Sequence, residues 1–476
     1  MSGGTGNQEL DRLFGSASTG DTWDERALTS DRLYVRGQAQ VAPYRPGATG
    51  LRMNAAQVLH VFGRNALRAV VDEGSFQITS ARDEPARTLR ARREQLGLNQ
   101  GQLARAAELS ATVVAKAETP GQVTPIRELQ RLGQTLALDE QVLGFVPGAG
   151  GDEELGVRLR TLSARRGDEP ALSPTLVLQL AEAAWVIARE NQLQDALGDV
   201  PEIASGEDWD DDYHAPVYEK GYRLAELTRT RLGLSEHEPV RSVRDVLRRL
   251  GIPLIQAEMG RRFAGATVAN GQRRGVVLNT QGFNENVWVR RMTASHELGH
   301  LLWDPPVRLG RVRVDTYEEM QQLSGDQVEA RANAFAIAFL APPRAVEQLY
   351  EDLSDHTTMI AVLMDRYGVS FTAAKLHLTN VIKNRRRIDI DLSSVKGTRM
   401  PEPAGQWLVR EDWTNDFYPV AGVPISRRGM FGACVARAVK AKLITLDVAA
   451  AWLQCKPEEL DGRLDDLISL AAPTAA

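Results

Sequence analysis

The sequence predicts a multidomain, mainly α chain with a small β-sheet confined to one α+β domain. Three observations carry this. At 476 residues the chain exceeds one usual hydrophobic core and is expected to hold about three domains. The readable stretches are mostly helical, such as Ala55–Leu67, Leu89–Leu103, Val177–Ile187 and Met430–Lys442, whereas the strand-like runs Leu33–Arg36, Phe76–Thr79, Phe263–Ala266 and Gly275–Asn279 are short. Breaks at the glycine-rich Gly148–Asp152 and the acidic Glu202–Tyr213 divide the helical blocks. The segments expected are 1–80, 86–140, 148–213, 214–384 and 388–476.

Composition bounds the function. A net charge of −5 excludes a broad, uniformly basic nucleic-acid surface, though a local basic module stays open. The two cysteines, Cys434 and Cys455, provide neither a disulfide framework nor a cysteine-based zinc module, which fits a reducing cytoplasm. No apolar run approaches the roughly 20 residues that span a bilayer, and no signal-peptide core opens the chain. The expectation is a cytoplasmic protein without membrane contact.

In chain order, Met1–Asp31 is rich in Gly, Ser, Thr and Asp and is expected to be a loose, disordered start. Leu33–Arg36, Ala55–Leu67 and Phe76–Thr79 follow as strand, helix and strand, with His60 a core or surface histidine and no chemistry in sight. From Ala86 to Asp139 the chain reads helix, tight turn, helix, with alanines where helices must approach closely. The run Leu89–Ala104, L-R-A-R-R-E-Q-L-G-L-N-Q-G-Q-L-A, resembles the start of the XRE (Cro/repressor-like) helix-turn-helix family, with Asn99 in place of its serine. That resemblance implies that Gln100 and Ser110–Lys116, including Thr112, face a DNA groove, with Arg87, Arg90, Arg92 and Arg93 near phosphates. Two departures count against DNA. Glu108 replaces the usual turn glycine and has to accept positive φ, and the reading helix has no arginine or asparagine to pair bases. A helical module that docks protein or dimerises is the competing reading. Leu155–Leu197 then reads as two helices, with Val177, Leu180, Ala181, Ala184 and Ile187 on one face; the acidic run ending at His214 reads as a solvated linker.

The chain is organised around Arg290–Trp303, R-R-M-T-A-S-H-E-L-G-H-L-L-W. Two histidines four apart sit one turn above each other on a helix, so His296 and His300 can bind one metal ion. Glu297 can take a proton from a water at that metal. Val287, Arg291, Ala294, Leu298 and Leu301 fall on one buried face; Asn284 or Asn286 caps the start, and Pro305–Pro306 stops the helix. The alternative is a core helix on which the histidines merely pack. A catalytic zinc usually takes three protein ligands. Downstream, a helix beginning at a capping box (Ser324 with Gln327, or Asp326 with Glu329) carries Glu329, Asn333, Ala336 and Leu340 on one face. Val328, Ala332, Phe335 and Phe339 form its apolar stripe. An inward Glu329 needs a partner, which a metal would supply; an outward one is only a first-turn acid favoured by the helix dipole.

These two stretches resemble the ImmA/IrrE metallopeptidases: Arg290, Arg291 and H-E-L-G-H, then E-A-R-A-N-A-F-A from Glu329 and the closing Pro342. Arg241–Ile252, Phe263–Ala266 and Gly275–Asn279 resemble that family's preceding helix and short strands, so the likeness spans about 215–384. The resemblance implies an α+β zincin-like core, Zn2+ held by His296, His300 and Glu329, and Glu297 as general base. Asp304 departs from the family, which often has a further histidine there, at a position that is not a ligand. Tyr367–Thr379 looks like another helix-turn-helix unit closed by Arg385–Arg387; His356, Tyr317, Tyr367 and His377 are candidates to stabilise an oxyanion. The last segment begins with possible strands at Ile388–Leu392 and ends in helices at Met430–Lys442 and Leu446–Gln454.

The expected function is a zinc metalloendopeptidase fused to a helix-turn-helix module. The resemblance implies a protein substrate, such as a transcriptional repressor cleaved in a stress or mobile-element response. A second reading is a DNA-binding regulator whose peptidase-like domain senses or scaffolds. A third is an interaction component of a phage-defence or toxin–antitoxin pair. A homodimer is compatible with each.

Overall fold

The computed structural model describes residues 4–78, 83–150, 173–200, 216–261, 263–270, 273–304, 313–316, 327–397, 400–411 and 418–470. It is mostly helical with two four-stranded sheets. Contacts divide it into two compact units: Met1–Asp199, Asn270–Arg273 and Phe417–Ala472 form one, and Val200–Ala269, Arg274–Asp416 and Pro473–Ala476 the other. No helix among the described residues is long and apolar enough to cross a membrane.

The first unit opens with a correction. The start is not loose: α1 (Gly4–Phe14) and α2 (Trp23–Thr29) are ordered helices that bury Leu10, Leu13, Phe14 and Ala27. A Thr22–Glu25 capping box starts α2, and Phe14 meets Trp23 edge to face at 5.5 Å. The polar composition hid an apolar stripe that pays for itself only on packing. The expected β1 (Leu33–Arg36) is joined by β2 (Gln40–Pro43) and β3 (Leu51–Asn54), then α3 (Ala55–Asp72) and β4 (Phe76–Gln77). The sheet order is β3-β1-β2-β4, with antiparallel pairs. Four short helices follow: α4 (Glu84–Gln95), α5 (Gln100–Ala106), α6 (Ala111–Ala117) and α7 (Ile126–Thr135). Asn99 caps α5 in a capping box with Gln102, and Glu108 in the α5–α6 turn takes φ 54°. α8 (Pro174–Leu197) is apolar almost all round and correspondingly buried, including the expected Val177, Leu180, Ala181, Ala184 and Ile187. Pro147–Gly150 makes a 3-10 turn. The helix expected before α8, the acidic run and His214 lie outside the described residues.

The second unit comprises α9 (Val217–Arg231), α10 (Val243–Arg249), β5 (Leu254–Ala257), β6 (Phe263–Asn270), β7 (Arg273–Asn279), α11 (Val287–Trp303), β8 (Arg313–Thr316), α12 (Gln327–Leu340), α13 (Pro343–Asp352), α14 (His356–Tyr367), α15 (Phe371–Val381) and α16 (Gly405–Arg410). Its sheet runs β5-β7-β6-β8, with β5 and β7 parallel and β6 and β8 antiparallel. One core joins Leu224, Leu278, Ala294, Leu298, Phe335 and Phe339 to the later helices. Close approach of α9 to α12 depends on Gly221, where a Cβ would lie 2.5 Å from the Arg331 carbonyl. Gly368, at φ 63°, turns the chain from α14 into α15. Strands expected at Ile388–Leu392 do not form: the stretch is irregular, and Leu392, Val395 and Trp407 instead bury in this core. Arg385 and Arg386 of the basic run pair with Glu347.

The chain's last helices, α17 (Met430–Lys440), α18 (Leu446–Leu453), α19 (Pro457–Leu460) and α20 (Leu464–Leu470), return to the first unit. Buried Glu140 accepts from the indoles of Trp185 and Trp452, both at 2.8 Å, and from Arg189 at 3.1 Å. Buried Arg427 reaches Glu182 at 2.7 Å and Gln134 at 2.9 Å. Glu140 and Arg427 thus each have charged partners, which their desolvation demands.

Candidate metal centre

The site lies wholly in the second unit. α11 starts at Asn286, whose side chain accepts from the Trp288 amide at 2.9 Å. Asn284, the other possible cap, is buried and donates to the carbonyls of Ala264 and Asn279. The expected inner face of α11 is buried, but Arg291 on it is no apolar filler. Its guanidinium pairs with Glu411, reaches the Val240 carbonyl at 2.6 Å and stacks 4.3 Å from the Trp407 ring centre. Glu411 in turn accepts from the Val243 amide at 2.6 Å, at the start of α10.

One turn apart on this helix, His296 and His300 are buried, and α12 brings buried Glu329 to them. The Nε2 atoms of the two histidines are 3.0 Å apart. Glu329 Oε2 lies 3.1 Å from His296 Nε2, and its Oε1 lies 3.3 Å from His300 Nε2. The reading of Glu329 as a solvated acid is therefore set aside. α12 comes this close because residue 299 has no side chain: a Cβ there would sit 2.7 Å from the Phe335 ring. Among the described residues, His296, His300 and Glu329 are the group placed to hold a metal ion.

The donor set fits a zinc-sized dication. Bonds of about 2.0–2.1 Å at tetrahedral angles separate ligand atoms by about 3.3 Å, close to the 3.0–3.3 Å found here. The electrostatics agree. Burial opposes ionisation of Glu329, yet the two imidazoles hold its carboxyl far below the usual range. Burial likewise opposes a charged His300, but Asp304 and Glu329 raise it to about 9. The cluster calls for positive charge, as a proton or as a metal ion.

Glu297 is buried beside the ligands, and Thr267 on β6 donates to its Oε2 at 2.6 Å. Gly265, two residues earlier on that strand, opens space for the other oxygen: a Cβ there would lie 3.2 Å from Glu297 Oε1. Neither residue was expected at the site. Their one sequence signal is a shared strand face. Asp304, read only as a departure, accepts from His300 Nδ1 at 2.9 Å and pairs with Arg331; its four-residue offset from His300 was the available sign.

The oxyanion candidates are otherwise engaged. Buried His377 bridges Tyr222 Oη at 3.0 Å and the Ala341 carbonyl at 2.8 Å, and burial lowers it to about 4. Tyr367 donates to the His237 carbonyl at 3.2 Å, and His356 opens α14 stacked on Tyr350. Tyr317 lies outside the described residues, as do Ser324, Asp326, Pro305 and Pro306.

Of the residues expected to contact DNA, Ser110, Thr112 and Lys116 are exposed. Arg92 and Arg93 are a correction, because both are buried. Arg93 forks onto buried Glu118 at 2.6 and 2.8 Å, and Gln100 donates to the same carboxylate at 2.9 Å. An internal carboxylate has taken the Arg93 cation, and Arg92 bonds Gln95 at 3.2 Å instead of facing outward.

Comparison with known proteins bears on the second unit alone. The family model of the IrrE N-terminal-like domain, Peptidase_M78, matches residues 260–379, a range that includes His296, Glu297, His300 and Glu329. This supports a metallopeptidase domain of the ImmA/IrrE type, a family whose metal is usually zinc. No curated protein matches the chain.

Proposed function

We propose that this chain is a zinc-dependent metalloendopeptidase acting on a regulatory protein. The observation that carries the reading is one buried cluster in which three metal-ligand atoms converge and a fourth residue, Glu297, is oriented by Thr267. Bound zinc would supply a Lewis acid that polarises the scissile carbonyl and acidifies water. Glu297 takes the proton of the attacking water and delivers it to the departing amine as the C–N bond breaks. Thr267 holds one oxygen of the Glu297 carboxylate and so fixes its orientation. Burial around Glu297 excludes bulk water and strengthens both interactions. A transcriptional repressor is the substrate class implied by the family likeness.

The test is mapping of new protein N-termini in a proteome incubated with the zinc-loaded chain. Wild type is expected to generate them, and Glu297→Gln to bind zinc yet generate none. No new termini from wild type at full zinc occupancy, or equal cleavage by the variant, would sink the reading.

The helices α4–α7 serve, in this reading, to bring the peptidase to its target by contact with protein rather than DNA. The burial of Arg92 and Arg93 and the inward turn of Gln100 favour this. Of the expected contacts, Arg87, Arg90 and Lys116 remain exposed cations. Gel-shift titration at low salt, where non-specific phosphate binding is strongest, is expected to show no retarded DNA. A salt-sensitive shift lost in Lys116→Glu would restore the DNA-binding role.

A further inference from the structure

We infer that Asp304, anchored by Arg331, is a positioning residue that fixes the tautomer and ring orientation of His300 for metal binding. The inference rests on the metal-site reading above and goes beyond its ligand set. An imidazole can bind a metal through Nε2 only if that nitrogen carries the lone pair, so its proton must sit on Nδ1. His300 turns Nε2 toward His296 and Glu329 and Nδ1 toward Asp304 Oδ2, 2.9 Å away. The other carboxylate oxygen of Asp304 is held by Arg331, so the carboxylate is gripped at both ends.

Location strengthens the argument. Asp304 is the C-cap of α11, with its amide bonded to the His300 carbonyl at 3.0 Å. A carboxylate at a helix C-terminus opposes the helix dipole, and a buried one also loses solvation. Asp304 is nevertheless buried there. It persists in an unfavourable place because His300 and Arg331 both satisfy it. Arg331 lies two residues beyond Glu329 on α12. The helix that supplies the third ligand therefore also anchors the group that orients the second.

The test uses the full chain and Zn2+, with affinity read by competition against a chromophoric chelator. Removing such an outer partner of a ligating histidine typically weakens metal binding by about 10–100-fold, and Asp304→Ala is expected to fall in that range. Asp304→Asn, which keeps the shape but can satisfy only one partner with its oxygen, is expected to lose less and covers the case in which the alanine variant fails to fold. Arg331→Met leaves the acceptor in place and is expected to lose less than Asp304→Ala. Nitrogen NMR of labelled histidine on zinc-loaded protein adds a readout that packing alone would not move. The His300 Nδ1 proton is expected to resist exchange in wild type and in Arg331→Met, and to exchange quickly in Asp304→Ala. Unchanged zinc affinity in both Asp304 variants would overturn the inference. So would an equal loss in Arg331→Met with the Nδ1 proton still protected, since the pair would then be only a tether between helices. Wild type that takes up no zinc would instead remove the metal-site reading, and this inference with it.

Discussion

Thr267 shows how much of the site's chemistry rests on single atoms. Its hydroxyl donates to Glu297 at 2.6 Å from a strand that lies 30 residues upstream in sequence. A hydrogen bond to a charged group is worth about 1.5–3 kcal/mol, or roughly a tenfold or larger change in rate if it orients the base in the transition state. Thr267→Val is therefore expected to keep zinc and lower kcat at least about tenfold on a cleaved protein, without a matching rise in KM. Wild-type turnover with full zinc would remove Thr267 from the mechanism. At this scale His296, Glu297 and His300 were legible because a helix sets their geometry by spacing alone. Glu329 was half legible, since spacing left it inward or outward until α12 was seen against α11. Thr267, Asp304 and Arg331 were not read, because their roles are contacts between elements, which residue type and spacing do not encode.

Among the elements, the approach of α11 to α12 governs the site, and Gly299 sets it. A methyl at residue 299 would stand 2.7 Å from Phe335, whose ring is itself stacked on Phe339 at 5.6 Å. A planar ring backed by a second ring cannot yield cheaply, so the helices must part. Overpacking of this kind costs about 1–3 kcal/mol. Gly299→Ala is expected to lose about that much stability in denaturant titration and to bind zinc more weakly, because Glu329 rides on the displaced helix. Unchanged chelator competition would mean the ring repacks without moving α12. Long, apolar-rich helices, α8, α11 and α12, were readable from sequence. The weak ones were misread for a common reason: α1 and α2 carry polar residues among their apolar contacts, and β2 and β3 have only four residues each. Local pattern cannot outweigh composition in segments that short, so tertiary burial decides them.

On the scale of the whole molecule, the chain folds into units that do not follow its linear order. Residues 418–470 complete the first unit, and 388–411 complete the second. Trp452 meets Glu140 across 312 residues, and Glu411 meets Arg291 across 120. Each partner alone reads as an ordinary surface charge or a core aromatic, which is why the sequence left these joins unseen. The same packing leaves one buried acid poorly matched. Glu190 on α8 is buried, receives only a 3.3 Å bond from Gln194 on Oε1, and has no hydrogen-bond partner on Oε2. Burial pushes its carboxyl up to about 8. The unfolded chain sheds that proton first, near the ordinary 4.5, so the folded state holds more protons between these values. Stability must then fall as pH rises through this window, by up to about 1.4 kcal/mol per pH unit for a single group. Below the window both states are protonated and the penalty vanishes. Glu190→Gln mimics the neutral acid at every pH. The stability difference, variant minus wild type in urea titration, should therefore grow from pH 5 to pH 8 and then level off. A difference that stays flat across that range would mean that water reaches Glu190 and solvates its carboxylate.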